Sequence, residues 1–379
     1  MTNSSPVITR VLQLLGLMLL GTLVYFGSSI IMPLGFAFLL SILLLPVYRF
    51  FIRIHFPNIL AIGLSVLLTI LLFAGFMVVL LSQLNNLMSD FPSIEAHVQK
   101  HLAAVSSWIE QQLGFSTLKQ EQILNGQLKK LLDSAGSVAG GTAASLSHFF
   151  IWLGLLPLYI FLILYYKNLL LRFLFLCSSR DFHPKMEAVI YDTEKTLKGY
   201  LSGLMIEMVL VAVLNGILLF ILGIKYAILI AVIFAVMNLL PYVGAIIANV
   251  IAALITLATS DQLWNVIAVF GVLAIVQFID NNIFMPYVVG SKVRLNALVT
   301  VVALFIGEAL AGVGGMFLAI PTLAVLKLIF DKIDSLKHWG ILFGDETPKL
   351  NPLSSPVLRL RNKFKRKMLE NDPKFNPPV

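Results

Sequence analysis

The chain has 379 residues, of which 59% are hydrophobic and only 12% are charged, with a net charge of +8 at pH 7. Soluble domains are nearer half apolar and a quarter charged, so these charges supply too little polar surface for a water-soluble protein of this length. The composition therefore predicts a polytopic, all-α integral membrane protein covered by lipid. It argues against nucleic acid as a partner, because about half of the positive excess lies in the segment 331–379.

Apolar runs of spanning or near-spanning length recur along the chain. We expect about eight transmembrane helices, within a range of six to ten. The short runs after residue 225 are interrupted by Gly and Pro, so some of them could pair as re-entrant hairpins instead of crossing. The first run is longer than a signal-peptide core and is interpreted as a retained span. The predicted runs are 11–31, 33–47, 58–82, 148–166, 200–222, 226–240, 242–259, 264–280, 297–312 and 315–330.

Lys and Arg residues are concentrated in the loops 48–57, 167–199 and 281–296 and in the C-terminal tail. Since short cytoplasmic loops carry an excess of these residues, we expect all four segments and both termini to be cytoplasmic. Turning a pair of short runs into a re-entrant hairpin removes two crossings, so the predicted orientation holds however many such hairpins form.

The segment 83–147 has no run of spanning length and falls on the extracytoplasmic side. Apolar residues at three- and four-residue steps over 94–113, and Leu residues over 124–132, predict two amphipathic helices. They form either an ordinary insertion that covers the bundle or an element that gates it. The small-residue tract that follows holds Gly136 and Gly140 at a Gly-x-x-x-Gly spacing, which predicts close helix packing or a polar passage.

These features divide the chain into five parts. The parts are N-terminal transmembrane helices (1–82), an extracytoplasmic amphipathic helical insertion (83–147), a fourth transmembrane helix with a basic cytoplasmic segment (148–199), a C-terminal transmembrane core with Pro/Gly helix breaks (200–331) and a basic cytoplasmic tail (332–379).

Motifs for enzymatic chemistry are missing from the sequence. It has no Gly-x-x-x-x-Gly-Lys phosphate loop, no His-Glu-x-x-His and no paired cysteines, and Cys177 is the single cysteine. We predict no catalytic residues, no metal site and no cofactor.

Polar residues within the predicted spans are the candidates for a transport site. A charge at the bilayer centre costs roughly 2.5–3.5 kcal/mol, so Glu207, Asp280 and Glu308 are expected to face protein or water and to bind a proton or small cation. Two of them have structural alternatives: Glu207 could pair with a basic residue or snorkel toward the interface, and Asp280 could cap a helix or pair with Lys292 or Arg294. The amides that accompany these carboxyl groups are Asn238, Asn281 and Asn282.

Two similar segments, Pro241-Tyr242-Val243-Gly244 and Pro286-Tyr287-Val288-Val289-Gly290, each follow Asn-containing stretches. Proline removes a backbone donor and glycine permits unusual dihedrals, so each segment predicts a helix break or hinge. Broken helices at membrane depth are typical of substrate and ion sites in secondary transporters. The glycines predicted to provide close packing or movement after them are Gly307, Gly312, Gly314 and Gly315.

At these residues the chain resembles the autoinducer-2 exporter family of bacterial membrane proteins, also described as PerM-like permeases. The stretches that carry the resemblance are Tyr200-Leu201-Ser202-Gly203, Leu222 to Ala227, Asn238 to Gly244, Asp280 to Gly290 with Leu295, and Gly307 to Gly315 with Ile320-Pro321. The resemblance implies a homo-oligomeric transporter of the bacterial inner membrane. It also implies that members export the quorum signal autoinducer-2, or exchange sodium or lithium for protons.

The preferred hypothesis is a secondary transporter that exports a small solute and is driven by an ion gradient. A Na⁺(Li⁺)/H⁺ antiporter is the alternative within that class. A second alternative is a non-transporting membrane scaffold, in which 83–147 and the basic tail bind partners.

Overall fold

In the computed structural model, residues 6–90, 142–240, 243–289 and 295–345 are described, with scattered positions between 93 and 111. Every regular element in this part of the chain is helical. The helices are α1 (Pro6–Phe26), α2 (Ser28–Arg53), α3 (Asn58–Ser89), α4 (Thr142–Leu176), α5 (His183–Ile221), α6 (Ala227–Asn238), α7 (Val243–Thr259), α8 (Leu263–Ile279), a π-helical segment (Asp280–Val289), α9 (Ala297–Lys332) and α10 (Lys337–Phe343), with short 3₁₀ turns at Arg180–Phe182 and Asp334–Leu336.

Six of the described helices are long and apolar enough to cross a membrane, which confirms the predicted polytopic helical fold.

The break between the first two helices differs from the prediction, because α2 begins at Ser28 and continues through Pro33. The break is at Gly27, where an added Cβ would lie 2.7 Å from the carbonyl oxygen of Leu23.

Ion pairs mark one end of the bundle, which we call the basic end. There Arg49 of α2 pairs with Glu194 of α5 at 2.7 Å, and Lys332 at the end of α9 pairs with Asp192 at 3.0 Å. The charge pattern of the sequence predicts that this end is cytoplasmic. The α2–α3 connection and the start of α5 lie here, so α3 and α5 both run toward the opposite end.

The opposite end is marked by contacts of the segment after α3. Asp90 pairs with Lys225, just before α6, and Lys100 pairs with Asp261, between α7 and α8, at 2.7 Å. The chain therefore leaves this end of the bundle through α6 and returns to it through α7.

We call α6 and α7 the first hairpin. At about 1.5 Å per residue its helices are about 18 and 26 Å long, shorter than the roughly 30 Å core of a bilayer. Around its turn, the Gly244 N–H donates to Leu240 at 3.0 Å. A Cβ on Gly244 would lie 1.7 Å from the Met237 carbonyl oxygen, so a side chain would force the turn open.

The helix α9 is itself a hairpin, which we call the second hairpin. Its backbone leaves helical geometry at Ala311 and at Gly312, where φ is +61°. The outgoing arm, 297–310, then packs against the returning arm, 313–332, through the bare backbones of Gly307 and Gly315. The outgoing arm begins at the basic end and the returning arm ends there, since the Asn296 N–H donates to the Phe343 carbonyl of α10 at 2.9 Å.

Both hairpins agree with the expectation of short, broken helices in the C-terminal half. Much of the predicted insertion 83–147 lies outside the described residues; its first residues extend α3, and its last residues, from Thr142, belong to α4. Of the predicted tail 332–379, the structure describes residues up to 345.

Candidate functional site

The two hairpins meet inside the bundle. Leu240, directly after α6, is 8% exposed and belongs to the same buried apolar cluster as Leu304 on the outgoing arm and Met316 on the returning arm. Since the first hairpin enters from the opposite end and the second from the basic end, they approach this point from opposite sides. The meeting point is therefore at the depth of the spanning helices.

Glu207 and Asp280 lie beside this meeting point. Glu207 is on α5 and Asp280 begins the π-helical segment, and the two residues are 4% and 2% exposed. Their carboxyl groups lie close enough to interact electrostatically. Two buried carboxylates near each other repel, and a proton or a cation between them would relieve that repulsion. The pair is therefore a candidate position for a proton or a small cation.

Two amide side chains complete the polar group. The Nδ2 atom of Asn238, the last residue of α6, donates to Oδ2 of Asp280 at 2.8 Å. Gln277 donates to Oδ1 of Asn281 at 3.2 Å and reaches Asp280 Oδ2 at 3.5 Å. No donor among the described residues reaches Glu207 Oε2, Asp280 Oδ1 or Gln277 Oε1, although all three oxygens are buried. Buried acceptors without donors suit a proton or a cation as their partner.

The backbone around the pair is unusual. Asp280–Val289 is π-helical over ten residues, a conformation that is rare and concentrated at functional sites. On α5, Gly203 lies one turn before Glu207, and a Cβ there would be 2.8 Å from the Val288 carbonyl oxygen. Only glycine allows α5 to approach the π-helical segment this closely, and this approach brings the two carboxyl groups together.

The third predicted carboxylate, Glu308, lies elsewhere. It is exposed near the end of the outgoing arm, three residues before the break at Ala311. Asn281 and Asn282 are exposed as well, and Asn282 Nδ2 donates within its own helix to Phe278 at 2.8 Å. Of the six polar candidates, the structure thus brings Glu207, Asp280 and Asn238 together, with Asn281 joined through Gln277.

The comparisons with known proteins agree with this architecture. The family model described as AI-2E family transporter matches residues 14–335. The chain belongs to the AI-2E transporter family. Its relatives include YrrI of Bacillus subtilis (strain 168), a candidate transport protein that is 26% identical over 80% of this chain and 86% of the relative. YhhT of Escherichia coli (strain K12), also a candidate transport protein, is 21% identical over 89% and 95%. The candidate permease PerM of the same strain is 25% identical over 52% and 56%.

Family membership confirms that this AI-2E protein is a membrane transporter and not an enzyme. Within the described residues, no group of three or more His, Cys, Asp or Glu side chains could hold a metal ion.

The predicted helix breaks of this AI-2E transporter have different structural forms. Pro241 and Gly290 lie outside the described residues, while Gly244 packs against Met237 in the turn of the first hairpin. Pro286 lies within the π-helical segment and does not end it, because the wider π-helical turn accommodates the ring. Gly314 faces α2, where a Cβ would meet the Phe36 ring at an ordinary 3.5 Å.

At the opposite end, α3 is tied to the start of the first hairpin. The Tyr226 hydroxyl donates to the Asn86 carbonyl at 3.0 Å and to Asp90, which also pairs with Lys225. Hydrogen bonds from Lys225 and Tyr226 hold the pKa of Asp90 below its usual value. Partial burial and the bond to Asp90 raise the pKa of Tyr226 to about 12. Tyr226 has a φ of +64°, which is uncommon for tyrosine, and these contacts hold it in place.

The sequence offers no means of finding the partner of Glu207. We considered a basic residue as its partner, whereas the structure places the Asp280 carboxyl group there. Two further polar residues, Gln277 and Asn215, could be noticed in the sequence only because each is an amide within an apolar span. Asn215 is fully buried on α5, and neither of its amide atoms has a partner among the described residues.

Proposed function

We propose that this AI-2E transporter is a secondary transporter of the bacterial inner membrane that exports a small polar solute in exchange for protons. The observation that carries the proposal is the burial of two neighbouring carboxyl groups, those of Glu207 and Asp280, inside the bundle. In this proposal, the proton that joins them is the coupling proton. The sequence has no nucleotide-binding loop, so an ion gradient is the natural energy source.

The pair couples proton binding to conformation through its charge. With one proton, the two carboxyl groups hydrogen-bond and remain buried. Without it, two adjacent negative charges repel each other and need water or a cation, since an unpaired buried charge is costly. Loss of the proton therefore favours movement of the π-helical segment, and with it movement of Asn238, which bonds to Asp280 at 2.8 Å.

The opposed hairpins supply the parts that could alternate. The first hairpin closes the site toward the opposite end and the second closes it toward the basic end. Movement of one hairpin at a time would open the site to one side of the membrane, as alternating access requires. We place the basic end and both termini in the cytoplasm, and we expect the protein to work as a homo-oligomer.

The family resemblance suggests a quorum-sensing signal such as autoinducer-2 as the exported solute. The test compares solutes in the medium of cells that contain the wild-type protein, Glu207→Gln, Asp280→Asn or no transporter. The matched control is Glu194→Gln, the same substitution on the same helix, at a residue paired with Arg49 at the basic end. We expect the two site variants to resemble cells without the transporter and Glu194→Gln to resemble wild type. Wild-type export by both site variants would refute the proposal.

A second candidate is Na⁺(Li⁺)/H⁺ antiport. It is favoured by the three buried oxygens without donors, on Glu207, Asp280 and Gln277, because monovalent cations bind such oxygens. In everted vesicles with a preset ΔpH, sodium or lithium should then dissipate the gradient with the wild-type protein and not with Asp280→Asn. No response from the wild type would exclude antiport and leave solute export as the function. The alternative of a non-transporting scaffold disagrees with membership of a transporter family.

A further inference from the structure

The buried face of α5 forms a continuous stripe through the bundle. Its members recur at steps of three and four residues, which places them on one face of the helix. The stripe consists of Tyr200, Leu204, Glu207, Val211, Asn215 and Leu219, all at most 6% exposed. Three of these six are polar, and they extend over about 22 Å along the helix axis. A polar stripe of this length reaches across most of a bilayer core.

Apolar clusters enclose the carboxyl pair on both sides. Tyr200 and Leu204 belong to the cluster toward the basic end, formed with α2 and the returning arm. Val211 and Leu219 belong to the cluster toward the opposite end, formed with the first hairpin and α8. Glu207 lies on the stripe between the two clusters. The structure is thus closed on both sides of the pair, and each closure contains one polar residue of the α5 stripe.

Asn215 lies on the stripe between Val211 and Leu219, the two α5 residues of the second cluster. It is 0% exposed, and neither Nδ2 nor Oδ1 meets a hydrogen-bond partner among the described residues. A buried amide without partners is destabilising compared with leucine, which has a similar volume. Its neighbours on the stripe, Val211 and Leu219, are apolar. An amide offers both donors and an acceptor, so the ligand that suits this position is water.

We propose that the α5 stripe lines an aqueous path from the opposite end of the bundle to Glu207, and that Asn215 holds water on that path. The inference rests on the proposed function, because such a path is needed only if something reaches the carboxyl pair. Val211 and Leu219 close the path in the present structure. Movement of the first hairpin away from α5 opens it, and Asn215 then hydrates a segment that is otherwise apolar.

The test is cysteine labelling, which needs no knowledge of the solute. Cys177 is the single cysteine of the chain, so Cys177→Ser provides the background. Asn215→Cys on the stripe is matched with Val213→Cys, and Leu219→Cys is matched with Ile217→Cys. Val213 and Ile217 are 53% and 51% exposed on the side of α5 away from the stripe, within about 3 Å of the depth of their partners; we expect that side to face lipid. The reagent is a membrane-impermeant, positively charged methanethiosulfonate, added to the side of the opposite end.

Methanethiosulfonates react with the hydrated thiolate, so a thiol in lipid reacts slowly. We expect each stripe cysteine to react at least about tenfold faster than its lipid-facing match. Unreactive stripe cysteines in a folded protein would overturn the inference, and so would lipid-facing cysteines that react equally fast. If Asn215→Cys gives no folded protein, the comparison of Leu219→Cys with Ile217→Cys decides. Because labelling does not measure transport, rapid stripe labelling together with wild-type export by Glu207→Gln would refute the proton-coupling role while leaving the path intact.

Discussion

Replacing Gly315 with alanine tests the close packing between the two arms of the second hairpin. A Cβ at this position would lie 2.0 Å from the carbonyl oxygen of Gly307, and a Cβ on Gly307 would lie 2.4 Å from that of Gly315. Real Cβ contacts are at least about 3.0 Å, so Gly315→Ala must push the arms apart by about 1 Å, which for overpacking costs typically 1–3 kcal/mol. The obstacle is backbone, which has no rotamer that could move aside.

Gly271→Ala is the matched control. Gly271 lies within α8, and an added Cβ there meets nothing within 4 Å. Both substitutions gain the same helix propensity, about 1 kcal/mol, so the difference in stability between the two variants isolates the clash. The assay is the apparent melting temperature in detergent, followed by fluorescence-detected size-exclusion chromatography. We expect Gly315→Ala to melt below wild type and Gly271→Ala to melt at or above it. Equal melting temperatures for the two variants would refute the close backbone contact between the arms.

Two further predictions concern the ends of the first hairpin. Asn238→Leu removes the 2.8 Å hydrogen bond to Asp280 and should destabilise the protein by roughly 1.5–3 kcal/mol, as expected for a bond to a charged group. The control is Asn249→Leu, which removes only a hydrogen bond within its own helix and should change the melting temperature little. Equal losses of stability in the two variants would contradict the role of Asn238 in holding Asp280. At the other end of the hairpin, the ion pair with Lys225 lowers the pKa of Asp90 below its ordinary value of 3.8. The ion pair therefore stabilises the fold at pH values above 3.8, and this stabilisation is lost as the pH falls through the lowered pKa. The melting temperature of wild type should therefore exceed that of Asp90→Asn at neutral pH and converge with it below pH 3.8, and a constant difference down to the lowest pH would contradict this reasoning.

The sequence predicted the spanning character of the chain because hydrophobicity is a local property. Runs such as 58–82 contain enough apolar residues to span a bilayer in any tertiary arrangement. Helix boundaries were less accurate, since Pro33 lies inside α2 and the break is at Gly27. A proline removes one hydrogen bond, and packing within the bundle compensates for that loss.

The site was predictable only as separate residues. Glu207, Asp280 and Asn238 were selected because charged and amide groups are costly in an apolar span, and this reasoning applies to each residue alone. It gave Glu308 the same weight, although the structure leaves that side chain exposed. The difference between these carboxylates depends on which surfaces the hairpins cover, and that is a property of their packing.

The sequence by itself determined a helical membrane protein, its family and the polar residues available for transport. Only the tertiary structure decided that the short helices form two hairpins from opposite ends, because the turn at Gly312 and the contact of Gly307 with Gly315 depend on backbone geometry. It also decided that Glu207 meets Asp280. The residues lie on different helices, and the bare backbone of Gly203 against Val288 lets those helices approach closely beside the two carboxyl groups.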